Sequence, residues 1–142
     1  MMVMKASDIM TLGTASTTAD ASLAEAIRCM SDHRISALPV LDREGRLQGI
    51  VSEGDFFRPD RGLFRLDALV KAESAERAHL LSSKTVSDIM SVPPVSVDGD
   101  ASLEETVGIM AQHGVKRLPV MSHGKLVGLI SRADILRFLA DR

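Results

Sequence analysis

Two stretches of the chain place residues at i, i+3, i+4 and i+7 in a mainly apolar pattern, which is the spacing of one helix face. These positions are Leu23, Ala26, Ile27 and Met30 in the first stretch, and Leu103, Thr106, Val107 and Met110 in the second. Each stretch begins with the Ser-x-x-Glu spacing of a capping box, at Ser22 and at Ser102. The pattern predicts a helix over about 22–33 and an equivalent helix in the second stretch.

A short apolar run follows each predicted helix, over 35–41 and over 115–121. Each run leads into a polar turn with glycine and then a second apolar run, 47–51 or 126–130. This order predicts two strands joined by a tight turn. A second helix is expected to begin near Ser52 and near Ser131, and a short first strand near 14–17 and near 94–97. Each half of the chain therefore reads strand, helix, strand, strand, helix.

The two halves are copies of one another. Ser-Asp-Ile-Met begins at Ser7 and at Ser87, and Leu-Pro-Val begins at Leu38 and at Leu118, each displaced by 80 positions. The pattern Gly-x-x-Ser-x-x-Asp ends both copies, over 49–55 and 128–134, displaced by 79 because the second turn is shorter. Two similar units in one chain usually pack about a pseudo-two-fold axis. Clefts at such an axis come in pairs and are natural ligand sites.

Residues 58–83 have no counterpart in the second copy, so the predicted divisions are 7–57, 58–83 and 84–142. Within this connector, 67–81 is rich in good helix formers. The simpler interpretation is a connecting helix that covers one edge of the core. The alternative is a contact with a partner or second copy, anchored by Phe56, Phe57 and Phe64.

These motifs, recurring twice in one order, resemble the CBS domain, the module named after cystathionine β-synthase. The resemblance covers nearly the whole chain outside the connector. It implies an α/β (α+β) fold in which two pseudo-symmetric β-α-β-β-α CBS repeats pack as one Bateman module. Members of this family bind adenosine-containing ligands such as AMP, ADP, ATP or S-adenosylmethionine.

The same resemblance implies a non-catalytic regulatory module that associates as a homodimer. Such modules regulate an enzyme, channel or transporter, which the sequence does not identify here. Because the chain shows no attached catalytic domain, it resembles a stand-alone pair. No cofactor is expected beyond the adenosyl ligand. The alternatives are a structural or dimerisation scaffold with unoccupied clefts and, less favoured, a nucleotide hydrolase.

Composition narrows the possible partners. With 45% hydrophobic and 25% charged residues, the chain can bury a core. A formal net charge of −2 and the absence of Trp and Tyr argue against nucleic-acid binding. The lone Cys29 fits a reducing compartment, and no apolar run suits a signal peptide or a membrane span. A cytoplasmic protein without membrane contact is expected.

Asp55 and Asp134 are the candidate ribose ligands, because one carboxylate can accept hydrogen bonds from two neighbouring hydroxyls. Each follows a serine by three positions, which is also the spacing of a capping box. Helix capping is therefore the alternative role, and the two roles are compatible. Ser52 and Ser131 have the same two interpretations, as N-caps or as a phosphate seat at a helix start.

Positive charge distinguishes the copies. The second copy has Lys116, Arg117 and Arg132 beside its Leu-Pro-Val and Ser-x-x-Asp motifs, where the first copy has Ser36, Ala37 and Glu53. Phosphate-binding family members commonly carry a basic residue where Arg117 stands. We expect the cleft served by the second copy to be the better phosphate site, and the cleft served by Asp55 to suit an uncharged or cationic adenosyl group, or to stay empty. The alternative is that the basic residues only decorate an exposed strand edge.

An adenine ring also needs apolar walls. The candidate liners, which would equally serve as ordinary core, are Thr14, Ala15, Ile35, Ala37, Pro39, Val95, Val115 and Pro119. His33 and His113 are expected at helix C-termini. A metal site at Cys29 and His33 is not favoured, because Ile109 replaces the cysteine in the second copy, and no catalytic motif occurs.

Overall fold

The computed structural model describes residues 3–58 and 66–141. Its helices and strands are, in chain order, α1 (Ala6–Ile9), α2 (Leu23–His33), β1 (Ala37–Leu41), β2 (Leu47–Ser52), α3 (Leu66–Lys71), α4 (Ser74–Ser83), β3 (Val97–Asp98), α5 (Leu103–His113), β4 (Arg117–Ser122), β5 (Lys125–Ser131) and α6 (Arg132–Ala140). Short 3₁₀ helices lie at Glu53–Phe57 and Val86–Asp88.

The chain divides into two compact units that cut across the sequence repeat. The central unit is Ala15–Pro94, and the split unit joins Met1–Thr14 to Val95–Arg142. The predicted divisions at 57 and 83 follow the repeat and stay a prediction. In the folded units, the leading Ser-Asp-Ile-Met segment of each copy lies with the remainder of the other copy.

The central unit packs α2 and the antiparallel β1–β2 hairpin into one core. Ser22 Oγ caps α2 by accepting a hydrogen bond from the Glu25 amide at 3.1 Å. The Glu25 carboxylate accepts one from the Ser22 amide at 3.3 Å, which completes the capping box that the spacing predicts. The helix ends at Arg34, which has the left-handed backbone conformation common at helix ends. The buried core is Leu23, Ala26, Met30, Leu38, Val40, Val51, Phe56, Val86 and Ile89.

The split unit repeats this plan with one strand more. β4 and β5 form an antiparallel hairpin, and β3 pairs in parallel with β4 through Val97 and Val120. α6 follows β5 directly, capped by Ser131. The buried core is Ala6, Val97, Met110, Leu118, Val120, Ile130 and Ile135. Burial alternates along the end of β5, where Gly128 and Ile130 are buried, whereas β4 buries three residues in succession, Leu118, Pro119 and Val120.

Each leading segment crosses the other copy's hairpin at a glycine. Thr11 exchanges two backbone hydrogen bonds with Leu129 at 2.7 and 3.0 Å, and a Cβ on Gly128 would lie 2.8 Å from the Thr11 carbonyl oxygen. Ser91 pairs with Ile50 in the same way at 2.8 and 3.2 Å, beside Gly49. The glycine of the Gly-x-x-Ser-x-x-Asp motif is therefore required by this close approach.

The connector differs from the prediction. The prediction of a single helix over 67–81 is wrong, because the chain bends at Ala72 and Glu73 and forms α3 and α4 instead. Glu73 has extended backbone angles at the start of α4, and the Arg77 guanidinium donates to the Ala72 carbonyl oxygen at 2.9 Å. That bond satisfies a carbonyl that a continuous helix would have satisfied internally.

Three other sequence expectations need correction. The first strand of the first copy is only a bridge between Thr17 and Val40, and that of the second copy is the two-residue β3. The helix expected after Ser52 is a five-residue 3₁₀ helix, with Gly54 in its first turn lowering helix propensity. Ser102 accepts from the Glu105 amide at 3.1 Å, but the reciprocal half of the predicted capping box is not formed.

Phe56 and Phe57, offered as contacts with a partner, have different environments. Phe56 belongs to the central core with 8% of its surface exposed, so core packing explains it. Phe57 is 69% exposed, and Phe64 lies outside the described residues. Among the described residues, no helix is long and apolar enough to cross a membrane.

Candidate functional site

The β4–β5 hairpin brings the predicted phosphate residues together at one end. Arg117, the first residue of β4, pairs with Ser131, the last residue of β5. One step further, the amide of Arg132 donates to the carbonyl oxygen of Lys116 at 2.9 Å. Three cationic residues and the start of α6 therefore share one hairpin end, which we call the basic end (Lys116, Arg117, Ser131 and Arg132).

The charge of the basic end is not neutralised locally. Lys116 and Arg132 are exposed and Arg117 is half-buried. Across residues 3–58 and 66–141, the ion pairs found involve other cations, such as Arg137 with Asp134. A helix start contributes partial positive charge from its unpaired amides. The arrangement can attract an anion without first breaking an ion pair.

The first copy has the same backbone geometry with the opposite charge. Ala37 pairs with Ser52, and the amide of Glu53 donates to the carbonyl oxygen of Ser36 at 2.9 Å. The exposed Glu53 carboxylate stands where Arg132 stands in the second copy. The difference in charge therefore comes from side chains placed on equivalent backbones, which makes the two hairpin ends a matched pair.

Asp134 completes the capping box of α6, and its side chain is 8% exposed. Its Oδ2 accepts from the Ser131 amide at 2.9 Å, and Ser131 Oγ accepts from the Asp134 amide at 3.1 Å. Oδ1 accepts from the Arg137 guanidinium at 3.3 Å, and the Arg137 side chain is 68% exposed. The capping interpretation is confirmed, and ribose binding stays a prediction that must use Oδ1.

Asp55 is more completely enclosed. Its Oδ2 accepts from the Ser52 amide at 2.8 Å and from Ser52 Oγ at 3.3 Å. Its Oδ1 accepts from Ser91 Oγ at 3.0 Å, with the Arg58 guanidinium 3.9 Å away, and the side chain is 3% exposed. The sequence patterns did not identify Ser91 as a partner of Asp55. Its place in the repeat, matching Thr11 one position after Ser-Asp-Ile-Met, was the available signal.

The expected adenine liners are mostly part of the two cores. Pro39 and Pro119 are fully buried and Ala37 is 4% exposed, so these three present little surface to a ligand. The half-buried liners are Thr14, Ala15, Ile35, Val95 and Val115. Ala15 and Ile35 pack against the central core, and Val95 and Val115 against the split core. Their contact with a ligand stays a prediction.

Two histidines lie at helix C-termini, as the sequence predicts. His33 and His113 are the last residues of α2 and α5. His33 Nδ1 lies 2.9 Å from the Cys29 carbonyl oxygen and 3.8 Å from Cys29 Sγ. In the described part of the chain, no three His, Cys, Asp or Glu residues are grouped as metal ligands would be.

The fold and the repeated motifs define a protein built from a pair of similar repeats of helices and strands. The chain belongs to the CBS domain family, whose model matches residues 6–60 and 86–141. The resemblance stated from the motifs is thereby confirmed, and so is the mixed α and β fold class.

Several known proteins resemble the chain in sequence or in fold. The chain is 32% identical over 132 residues to the uncharacterized protein YlbB of Bacillus subtilis, covering 92% of this chain and 79% of that protein. The structure of CBSX2 in complex with AMP is 22% identical, with a TM-score of 0.77 over 96% of this chain and 97% of that one. The CBS domain pair of MJ0100, with 5-methylthioadenosine and S-adenosyl-L-methionine, is 21% identical, with a TM-score of 0.76 over 99% and 98%. At these identities, the two structures show the shared fold.

Proposed function

We propose that this chain is a non-catalytic regulatory module that binds a phosphorylated adenosine nucleotide at its second copy. The observation that carries the proposal is the basic end, where unneutralised cations flank the Ser131 cap of α6. The AMP in the CBSX2 structure and the adenosyl ligands in the MJ0100 structure support the choice of an adenosine ligand.

The roles of the residues follow from their chemistry. Arg117 and Lys116 attract the phosphate, and Arg117 can donate two parallel hydrogen bonds to it. Asp134 accepts from the ribose hydroxyls through Oδ1, after the exposed Arg137 guanidinium moves aside. The Arg137 side chain is 68% exposed, so water can hydrate its guanidinium when the pair opens, although the Asp134 side chain itself is 8% exposed. Binding then regulates a partner by favouring one arrangement of the module over another.

The test compares AMP with adenosine by isothermal titration calorimetry. The phosphate is the only difference between the two ligands, so the ratio of their affinities measures the contribution of the basic end. We expect Arg117→Ala to weaken AMP binding about tenfold or more and to leave adenosine binding nearly unchanged, because a charge-assisted hydrogen bond contributes about 1.5–3 kcal/mol.

Lys125→Ala is the matched control for this experiment. Lys125 is an exposed cation at the opposite end of the same hairpin, paired with Ser122. Its removal changes the net charge by the same amount and leaves the basic end intact. AMP affinity that falls equally in both variants would mean a nonspecific charge effect. AMP affinity unchanged in Arg117→Ala would refute the phosphate site.

A structural scaffold with unoccupied clefts is the second candidate. The observation that favours it is the capping role of Asp55 and Asp134, which accounts for both carboxylates without a ligand. Absence of binding by AMP, ADP, ATP and S-adenosylmethionine at millimolar concentration would favour this candidate. A thermal shift of a few degrees with one of them would exclude it.

We also propose that the chain forms a homodimer. Exposed apolar side chains on helices support an interface, with Ile27 on α2 38% exposed and Val107 on α5 47% exposed at equivalent positions of the two copies. Equilibrium sedimentation tests the assembly, and Val107→Lys should shift the protein to monomer. A cytoplasmic location stays a prediction that rests on the lone Cys29.

A further inference from the structure

The carboxylate of Asp55 is held by a serine from a distant part of the chain. Ser91 follows the leading segment of the second copy, 36 residues from Asp55, and its hydroxyl donates to Oδ1 at 3.0 Å. Because Oδ2 already accepts two hydrogen bonds from Ser52, both oxygens of this carboxylate have partners. A nucleoside that uses Oδ1 of Asp55 for its ribose hydroxyls therefore meets the Ser91 hydroxyl already bound there, and it must share that oxygen with Ser91 or displace it.

Ser91 is fixed in place by its backbone. Its amide donates to the Ile50 carbonyl oxygen at 2.8 Å, and its own carbonyl oxygen accepts from the Ile50 amide at 3.2 Å. The same carbonyl oxygen would lie 2.9 Å from a Cβ on Gly49, so the segment lies directly on β2. This backbone pairing keeps the Ser91 side chain beside Asp55, and the hydroxyl leaves Oδ1 by rotation about the Cα–Cβ bond.

The second copy lacks this restraint. The residue equivalent to Ser91 is Thr11, which is exposed and pairs with Leu129 only through its backbone. The group on Oδ1 of Asp134 is Arg137, whose side chain is long, 68% exposed and free to rotate. Oδ1 of Asp55 is therefore bound by a hydroxyl on a backbone-paired segment, with the Arg58 guanidinium 3.9 Å away, whereas Oδ1 of Asp134 is bound by the long and exposed Arg137 side chain.

We propose that Ser91 is a specificity-determining residue that keeps the first copy from binding a nucleoside. The inference rests on the proposed function, because it assumes that the Ser-x-x-Asp motifs receive the ribose. Ser91 acts through its hydrogen bond to Asp55 Oδ1. The second copy binds a nucleoside first, because a ribose hydroxyl replaces the Arg137 side chain on Asp134 Oδ1 more readily. Removal of the Ser91 hydroxyl frees Oδ1 for a ribose hydroxyl.

The experiment follows both sites at once by NMR during titration with adenosine. The Ser52 amide donates to Asp55 and the Ser131 amide donates to Asp134, so each amide reports on its own carboxylate. We expect adenosine to shift the Ser131 signal alone in the wild type, and both signals in Ser91→Ala. The first-copy affinity should rise about tenfold or more, the effect of one hydrogen bond to a charged acceptor.

Ser87→Ala is the matched control, because it removes an exposed hydroxyl from the same segment that contacts Thr85 and not Asp55. It should behave as the wild type. Ser91→Cys replaces the hydroxyl with a weak donor of similar size and should give an intermediate affinity. This variant decides the question if Ser91→Ala does not fold.

The outcomes separate the two proposals. If the Ser131 signal shifts in the wild type and the Ser52 signal stays unchanged in Ser91→Ala, the role of Ser91 is refuted and the nucleotide site stands. A Ser52 shift already in the wild type, at the concentration that shifts Ser131, refutes it as well. No shift of either signal in any variant, with AMP in place of adenosine giving the same result, refutes both the site and the role of Ser91.

Discussion

The two hairpins of this chain have equivalent backbones, but the side chains at their ends differ in charge and in hydrogen-bond partners. In the second copy, Arg117 and Arg132 flank a capped helix whose aspartate has an exchangeable partner. In the first copy, Ala37 and Glu53 hold those positions, and Ser91 occupies the aspartate. Both copies keep the glycine at which a leading segment crosses the hairpin and the Ser-x-x-Asp cap, which folding needs. They differ at the positions that we propose to select a ligand.

The shared features should be the most costly to change. A Cβ on Gly128 would lie 2.7 Å from Met10 Sδ and 2.8 Å from the Thr11 carbonyl oxygen, and a Cβ on Gly49 would lie 2.9 Å from the Ser91 carbonyl oxygen. We expect Gly128→Ala and Gly49→Ala each to lower the free energy of unfolding by about 3 kcal/mol, through overpacking against backbone. Urea denaturation measures this.

Gly108→Ala is the control for the glycine variants. Gly108 lies within α5 with nothing within 4 Å of its added Cβ. Alanine there should raise the free energy of unfolding by about 0.8–1 kcal/mol, the difference in helix propensity. The glycine crossing would be disproved as a structural requirement if all three variants were equally stable.

The two aspartates should differ in stability as they differ in their partners. Asp55→Ala removes an acceptor for Ser52 and Ser91 in a buried site, and we expect a loss of about 2–3 kcal/mol. Asp134→Ala removes a capping-box residue and an ion pair whose arginine is exposed, and we expect a loss of about 1–2 kcal/mol. Ligand-free urea denaturation measures both, and equal losses would contradict the difference in enclosure.

The two helix starts offer a smaller test. Glu25 completes the capping box of α2 by accepting from the Ser22 amide and hydroxyl, whereas Glu105 contributes no such bond in α5. Glu25→Ala should lower the free energy of unfolding by about 0.5 kcal/mol, and Glu105→Ala should leave it within about 0.2 kcal/mol. Thermal denaturation of the pair is sufficient, and the reverse order would show that the two caps are alike.

The hairpin turns differ in their response to acid. The hydrogen bond from the Arg46 amide holds the pKa of Asp42 below its ordinary value of 3.8. Desolvation opposes this effect, and the Arg46 side chain and the Glu44 amide lower the pKa further. A lowered pKa in the folded state stabilises the fold above pH 3.8, and that contribution is lost as the pH falls through the folded value. The second turn has positive φ angles at His123 and Gly124, where the first has one at Gly45, and Ser122 stands at the position of Asp42.

Asp42→Asn therefore sharpens the comparison of the turns. The difference in unfolding free energy between wild type and variant should be largest near neutral pH and should shrink below pH 3.8. Urea midpoints between pH 3 and 7 measure it. A difference that is constant across this range would contradict the role of the Asp42 carboxylate.

Local patterns predicted the local structure well. The helix stripes at Leu23 and Leu103, the hairpins and the Ser-x-x-Asp caps all follow from period and spacing between near neighbours. The break at Glu73 was missed because composition alone does not show where a helix of good formers ends. The sequence also could not show that Ser91 contacts Asp55, since that contact depends on which copy each leading segment joins.

A single repeat of this sequence would be an unfinished fold. Its leading segment would find no glycine crossing of its own, because Gly128 receives the segment at Thr11 and Gly49 receives the segment at Ser91. A protein made of one repeat would form these contacts by exchanging its leading segment with that of a second molecule. Fusion of two repeats turns that concentration-dependent assembly into a property of one chain, and it leaves each copy free to change its ligand residues as long as it still supplies the other's segment.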